Sequence, residues 1–115
     1  METQKNLTIV ACSGASNTGC YTDTIARKMA AAGEAKMLCL ARFAVDKEWA
    51  ETAKKDIQDL IVLDGCPINC AKKIVEQADI KDFHHINTTD FGIIKGKTPI
   101  ITEKVEEIIN HIKNL

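Results

Sequence analysis

The amino-acid sequence predicts an α/β domain of three layers, in which helices cover both faces of a four-stranded parallel sheet. Short apolar runs of strand-like composition alternate with helical segments at intervals of roughly 25 residues, which is typical of βαβ units. Right-handed crossovers between such strands place helices on both faces of the sheet. A chain of 115 residues has room for one substantial core, so we expect residues 1–115 to form a single domain.

Four strands are predicted from apolar and β-branched runs near residues 7–12, 36–40, 60–64 and 84–88. The third run is the clearest, because four large apolar residues follow one another in it. We favour the strand order 2-1-3-4, which makes the fold Rossmann-like or flavodoxin-like. In such sheets the ligand crevice lies beyond the carboxyl ends of the strands, where the order reverses. The sequence therefore places the crevice between strands 1 and 3.

Helices are predicted between the strands and after the last one, from apolar residues spaced at three and four positions and from capping residues. A glycine ends the first helix, as glycine does in the left-handed conformation that often follows a helix. The predicted helices run from a cap at Thr22 or Asp23 to Gly33, from Glu48 to Lys55, across Ala71 to Ala78, and from a cap at Thr102 through Ile112.

Composition and charge exclude several classes of function. The formal net charge is −1 and no long cluster of Lys and Arg occurs, so we expect no nucleic-acid binding. No run of about 18 apolar residues occurs, so we expect no membrane span. The polar start from Met1 to Asn6 lacks the apolar stretch of a signal peptide, so we expect a cytoplasmic protein. Thiols stay reduced there, and five cysteines then favour metal binding or thiol chemistry over a disulfide scaffold.

Four cysteines follow the strands that flank the predicted crevice. Cys12 ends strand 1, and Cys20 closes the following loop just before the first helix. Cys66 follows strand 3, and Cys70 lies in the first turn of the third helix. If strands 1 and 3 are neighbours, all four thiols converge on one edge, as a tetrahedral metal site requires. The predicted ligand set is therefore Cys12, Cys20, Cys66 and Cys70, with Zn²⁺ favoured and iron or an iron–sulfur cluster second.

The residues around these cysteines fit such a site. The loop from Ser13 to Gly19 contains only small or turn-forming residues, so its backbone can fold tightly over a bound group. Gly65 allows a sharp turn out of strand 3, and Pro67 suits the first helical position after Cys66 as the cap. Both cysteine pairs then flank helix N-termini, which favour thiolate over thiol. The simpler interpretation, that the four cysteines only fill core space, explains their positions less well.

The segment Asp64-Gly65-Cys66-Pro67-Ile68-Asn69-Cys70-Ala71 resembles the D-G-C-P-x-x-C-A motif of the DGC-domain family. Two further segments are similar to that family: Ala11 through Cys20, which contains the first cysteine pair, and Thr89 through Lys95, which matches its T-D-x-G-x-x-K stretch. The family is described as zinc-binding proteins with four characteristic cysteines. The resemblance implies a metal-binding role for those four positions, and it brings no assigned reaction with it.

Other candidate residues have simpler interpretations. Cys39, between Leu38 and Leu40, is interpreted as a core residue inside strand 2, away from the crevice. His84 and His85 point to opposite faces of strand 4, so we expect solvent exposure or an ordinary polar contact, and no histidine spacing indicates a metal site. His111 lies beside the apolar stripe of the last helix and is expected at the surface.

Three acidic or basic residues at the same edge as the cysteines keep two interpretations each. Asp64 either stabilises the end of strand 3 or accepts hydrogen bonds from the loop after Cys12. Asp90 and Lys95 follow strand 4, and they are either solvated or close to a bound substrate or metal.

Enzymes that use the loop after strand 1 provide the alternative functions. A phosphatase of the C-x5-R type is rejected, because Thr18 stands where arginine would bind phosphate. A flavodoxin-like flavin site is weakly supported, because one Trp and one Tyr leave little to stack on a flavin. The main alternative to zinc binding is a thiol-redox or sulfur-transfer enzyme that uses the same cysteines, although Cys66 and Cys70 are one residue further apart than a C-x2-C pair.

Overall fold

The computed structural model describes residues 6–115 and confirms the predicted α/β class and strand order. The sheet has four parallel strands in the order β2-β1-β3-β4. The prediction about a targeting segment rests largely on residues 1–5, which lie outside the described residues. The strands are β1 (Leu7–Ala11), β2 (Lys36–Met37), β3 (Asp59–Asp64) and β4 (His84–Asn87).

Helices connect the strands and complete the chain, and a short 3₁₀ helix follows β4. The prediction that Thr102 caps the last helix was wrong, because Thr102 is the first residue of that helix and Ile101 occupies the cap position without a side-chain cap. None of the helices in the described part is long and apolar enough to cross a membrane. The helices are α1 (Asn17–Ala31), α2 (Leu40–Val45), α3 (Lys47–Asp56), α4 (Cys70–Gln77), α5 (Thr102–Lys113) and the 3₁₀ helix Thr88–Phe91.

Two apolar clusters, one on each face of the sheet, make the three layers. On one face, α1 and α5 pack against alternate strand residues such as Ile9 and Ile61. On the other face, α2, α3 and α4 pack against the intervening residues, among them Val10 and Val62. Side chains in a strand alternate between faces, so the continuous apolar run in β3 supplies both clusters.

The register of β1 and β3 brings their carboxyl ends to the same level. Val10 pairs with Val62 and Ala11 pairs with Leu63. The ladder continues one step beyond β1, because the Cys12 N–H donates to the Leu63 carbonyl at 3.0 Å. The crevice predicted between these two strands therefore opens beside Cys12.

The first helix begins earlier than predicted, at Asn17. Ser16 is its cap, and the Ser16 Oγ accepts a hydrogen bond from the Gly19 N–H at 3.3 Å. Thr22 instead lies inside the helix, where its hydroxyl donates to the Gly19 carbonyl at 2.9 Å. The expectation that Cys20 precedes the helix was therefore wrong, since Cys20 lies within its first turn.

The second strand is shorter than predicted, and this changes the position of Cys39. The strand ends at Met37, and Cys39 occupies the cap position of α2. Its side chain is exposed, so the interpretation of Cys39 as a core residue was wrong. Leu38 and Leu40 gave the segment its strand-like pattern. Leu38 lies just after the strand, Leu40 is the first residue of α2, and both are packed against the second apolar cluster.

The prediction that Pro67 is the first residue of the third predicted helix was wrong. That helix, α4, begins at Cys70. The residue before it, Asn69, has a left-handed backbone with φ of 58°, a conformation that asparagine tolerates better than most residues. Residues 65–69 therefore form an irregular turn between β3 and α4, and this turn carries Cys66.

Candidate functional site

A cavity of about 1010 Å³ opens at the carboxyl ends of β1, β2 and β3. Its walls come from the loop after β1, the junction of β2 and α2, and the turn after β3. This is the place where a sheet of this order binds its ligands. Four thiols line the cavity, those of Cys12, Cys39, Cys66 and Cys70.

Cys12 is half-buried at the centre of this edge. Its Sγ accepts a hydrogen bond from the Gly65 N–H at 3.2 Å and lies 3.8 Å from the Thr22 hydroxyl oxygen. Burial raises the pKa of the Cys12 thiol above its usual range, and the hydrogen bonds from Thr22 and Gly65 only partly oppose this effect. Without a metal, Cys12 therefore keeps its proton and is a poor nucleophile.

The loop from Ser13 to Gly19 packs closely enough that only glycine fits at two positions. A Cβ on Gly19 would lie 2.5 Å from the Gly14 nitrogen. A Cβ on Gly65 would lie 2.8 Å from the Thr18 carbonyl carbon. Both separations are far below van der Waals contact, so glycine is required at position 19, where the loop packs on itself, and at position 65, where the turn after β3 meets the loop.

The turn that carries Cys66 is attached to β4 by Asn87. The Asn87 Nδ2 donates to the Cys66 carbonyl at 2.8 Å and to the Asn69 side-chain oxygen at 2.9 Å. A further hydrogen bond, from the Asn69 N–H to the Cys66 carbonyl, closes the turn itself. Cys66 is half-buried and Cys70 is exposed, and neither belongs to a disulfide.

Of the two interpretations of Asp64, the structural one describes its contacts, because from the end of β3 this residue stabilises the start of α4. Its two carboxylate oxygens accept the Ala71 N–H at 2.8 Å and the Lys72 N–H at 3.0 Å. His85 approaches from β4, with its Nε2 2.8 Å from the same carboxylate. Asp64 is only 1% exposed, so this buried carboxylate fixes the position of α4, and with it Cys70, relative to the sheet.

Cys20 is the one predicted ligand that does not line the cavity. Its side chain is exposed on α1, with Sγ 3.9 Å from the Thr24 hydroxyl oxygen. Across residues 6–115, no three His, Cys, Asp or Glu side chains lie close enough together to hold a metal ion. The donor types fit a soft metal, because three of the predicted thiols share one cavity. Ligation would nevertheless require the thiols to move toward one another.

Asn17 and Tyr21 attach the segment after β4 to α1, and sequence reasoning missed both. The Asn17 side chain donates to the carbonyls of Ile94 and Thr98 at 3.0 and 2.7 Å and accepts the Gly96 N–H at 2.6 Å. The Tyr21 hydroxyl donates to the Pro99 carbonyl at 2.5 Å and accepts the Ile101 N–H at 3.0 Å. A local sequence pattern cannot predict these contacts, because the residues lie some 80 positions apart.

The remaining candidates divide between the cavity and the surface. Lys95 lines the cavity, whereas Asp90 is exposed on the 3₁₀ helix. His84 and His111 are exposed, as expected, while His85 makes the polar contact with Asp64. A bound group at this edge would therefore meet thiols, the loop after β1, Lys95 and the ion pair of Asp23 with Arg27 on α1.

Comparison with known proteins gives a family and one informative relative. A model of the DGC domain matches residues 8–112. The Anaerobic and virulence modulator AnvM of Pseudomonas aeruginosa is 26% identical over 87 residues, which are 76% of this chain. The match spans 66% of that protein's length, just under two thirds. The search of solved structures gave no match. With nearly its whole length matched, the chain belongs to the DGC-domain family.

Proposed function

We propose that this protein binds one zinc ion through cysteine thiolates at the carboxyl edge of its sheet, with Cys12, Cys66 and Cys70 as three of the four ligands. The observation that carries the proposal is that these three thiols line a single cavity. The sequence predicts Cys20 as the fourth ligand. Zinc is favoured over iron or an iron–sulfur cluster, because four thiolates in a tetrahedron suit Zn²⁺ and demand no redox chemistry.

The contact of Cys12 with Gly65 supports thiolate ligation, whereas the burial of Cys12 opposes it. A tetrathiolate zinc site carries net negative charge, and N–H donors to sulfur offset that charge. The Gly65 N–H already points at the Cys12 Sγ, at 3.2 Å. Because burial raises the pKa of Cys12, zinc has to displace a proton that the thiol holds firmly.

The turn after β3 supports the movement that ligation requires. Cys66 lies in an irregular turn and Cys70 begins a helix, so both side chains can change rotamer without breaking a strand. Asp64 and Asn87 meanwhile hold the backbone on either side of the turn. A fixed backbone with adjustable thiols is suited to closing around an ion.

A binding role fits this ligand set better than a hydrolytic one. Four cysteine ligands leave no open position for a water molecule on zinc. The relative is named a modulator, and a regulatory role for this chain accords with that name. Thiolate ligands need a reducing compartment, so we place the protein in the cytoplasm.

Elemental analysis of reduced protein, purified without added metal, tests the proposal. We expect about one zinc per chain and loss of that zinc in Cys66→Ser and Cys70→Ser. Ile68→Ala is the matched control, because Ile68 is exposed in the same turn and should keep the metal. Protein without stoichiometric metal, whose thiols all react independently, would contradict the proposal. A reversible disulfide between Cys66 and Cys70 in such protein would instead support the thiol-redox alternative.

A further inference from the structure

The cavity contains a thiol that the predicted ligand set omits, that of Cys39. We propose that Cys39, rather than Cys20, supplies the fourth thiolate of the metal site. This inference rests on the proposed function, and it changes which part of the fold closes the site. Three ligands would then follow β2, β1 and β3, and the fourth, Cys70, would begin α4.

The sheet brings Cys39 to the same edge as Cys12. Ile9 pairs with Met37, and the Leu38 N–H donates to the Ile9 carbonyl at 3.1 Å. Cys39 follows Leu38 at the cap of α2, and Cys12 follows Ala11 at the end of β1. Neighbouring strands lie about 4.8 Å apart, so the two cysteines leave adjacent strands at one edge, where both line the cavity.

On the other side of β1, the third strand brings Cys66 to the same level. Ala11 pairs with Leu63, and the Gly65 N–H contacts the Cys12 Sγ. Cys39, Cys12 and Cys66 therefore follow three consecutive strands, with Cys12 in the middle. These cysteines line the cavity on both sides of β1, whereas the predicted set approaches it from β1 and β3 alone.

The Cys39 side chain is free to turn inward. It is exposed, it makes no capping hydrogen bond to α2, and its Sγ has no hydrogen-bond partner among residues 6–115. The neighbouring Leu38 and Leu40 stay packed against the second apolar cluster, so the backbone on both sides of Cys39 is held. The thiol can therefore turn toward the other three by rotation of its own side chain.

Cys20 lacks this freedom, because the start of α1 is fixed from two directions. Gly19 packs so closely on Gly14 that an added Cβ would lie 2.5 Å from the Gly14 nitrogen. Asn17 is held by three hydrogen bonds to the segment 94–98. Bringing Cys20 into the cavity would require α1 to rotate or its first turn to unwind, which would break these contacts.

A matched pair of variants, Cys39→Ser and Cys20→Ser, separates the two assignments, since both side chains are exposed. We expect Cys39→Ser to weaken zinc binding at least about 10-fold, and Cys20→Ser to leave it within about 3-fold of wild type. With cobalt(II) as the probe, the sulfur-to-cobalt charge-transfer band should fall by about one quarter in Cys39→Ser only. Cys39→His should recover affinity, because histidine is also a zinc ligand.

Melting curves of metal-free protein check that both variants fold. Loss of zinc in Cys20→Ser with retention in Cys39→Ser would overturn the inference and return the fourth position to Cys20, while leaving the proposed function intact. Equal loss in both variants would also overturn it. Wild-type protein that binds neither zinc nor cobalt would refute the proposed function itself, and the inference with it.

Discussion

The Gly65 N–H donates a hydrogen bond to the Cys12 Sγ at 3.2 Å, across the neighbouring ends of β3 and β1. This contact joins the two segments that carry the predicted cysteine pairs. It depends on the absence of a side chain at position 65, because the Thr18 backbone occupies the space where a Cβ would lie. Backbone packing therefore sets the position of the turn after β3 relative to Cys12.

Gly65→Ala should destabilise the protein and move the turn away from Cys12. A Cβ 2.8 Å from the Thr18 carbonyl carbon forces a backbone shift, which costs about 1–3 kcal/mol of unfolding free energy. Gly14→Ala is the control, because its Cβ would meet only the Cys12 carbonyl oxygen at 3.6 Å. Urea unfolding of both variants measures the difference. Equal losses would show that the contact between Gly65 and Thr18 is not the cause.

Asp64→Ala should lower the free energy of unfolding more than most single substitutions at the carboxyl edge of the sheet. It removes the acceptor of the Ala71 and Lys72 N–H groups and of His85, and we expect a loss of about 3 kcal/mol in unfolding free energy. His85→Ala removes only one of these contacts, so a loss of about 1 kcal/mol is expected. Asp59→Ala, at an exposed position of β3, is the control. A larger effect at His85 than at Asp64 would contradict this account.

Asn17→Ala should loosen the segment after β4 while leaving the sheet intact. Three hydrogen bonds from this side chain hold residues 94–98, and their loss should cost about 1–3 kcal/mol. Amide exchange should become faster in residues 92–99 and stay unchanged in β1 and β3. Asn110→Ala, on the exposed side of α5, should change neither region. Unchanged exchange in residues 92–99 would show that Tyr21 holds the segment by itself.

The stability of metal-free protein should fall at alkaline pH because of Cys12. Burial raises the pKa of this thiol, so the folded protein holds its proton more tightly than the unfolded chain does. The stabilisation is complete below the ordinary thiol pKa of 9.0 and is lost as pH rises through the raised value, by at most about 1.4 kcal/mol per pH unit. Cys12→Ala should lack this component. Urea unfolding between pH 7 and pH 10.5 makes the comparison, and a steeper fall in the variant would contradict the assignment.

The sheet could be predicted because alternation of strands and helices restricts the topology to few choices. The clear apolar run of β3 and the loop of small residues after β1 identified the two strands that flank the cavity. Cys39 could not be placed in the same way. The pattern Leu38-Cys39-Leu40 is equally typical of a buried strand and of an apolar turn, and only the early end of β2 distinguishes them.

The start of α1 was missed for a related reason. Seven of the twelve residues from Ser13 to Thr24 are Ser, Asn, Thr or Asp, and each of these residue types can cap a helix. The helix begins at Asn17, whose side chain forms three hydrogen bonds with residues 94–98, and this is a tertiary interaction that no local pattern predicts. This one shift moved Cys20 from a loop into a helix and out of the cavity.

Amide exchange of reduced protein, with and without one equivalent of zinc, tests most directly the claim that the metal is held at this edge of the sheet. We expect zinc to slow exchange in residues 12–16, 37–41 and 65–70, and a chelator to reverse this and to lower the melting temperature. Protection in the interiors of β1 and β3 should persist without metal, because the two apolar clusters stabilise the sheet by themselves. No change in the three segments would contradict the claim. Loss of protection across all strands on chelation would show instead that the fold itself depends on the metal.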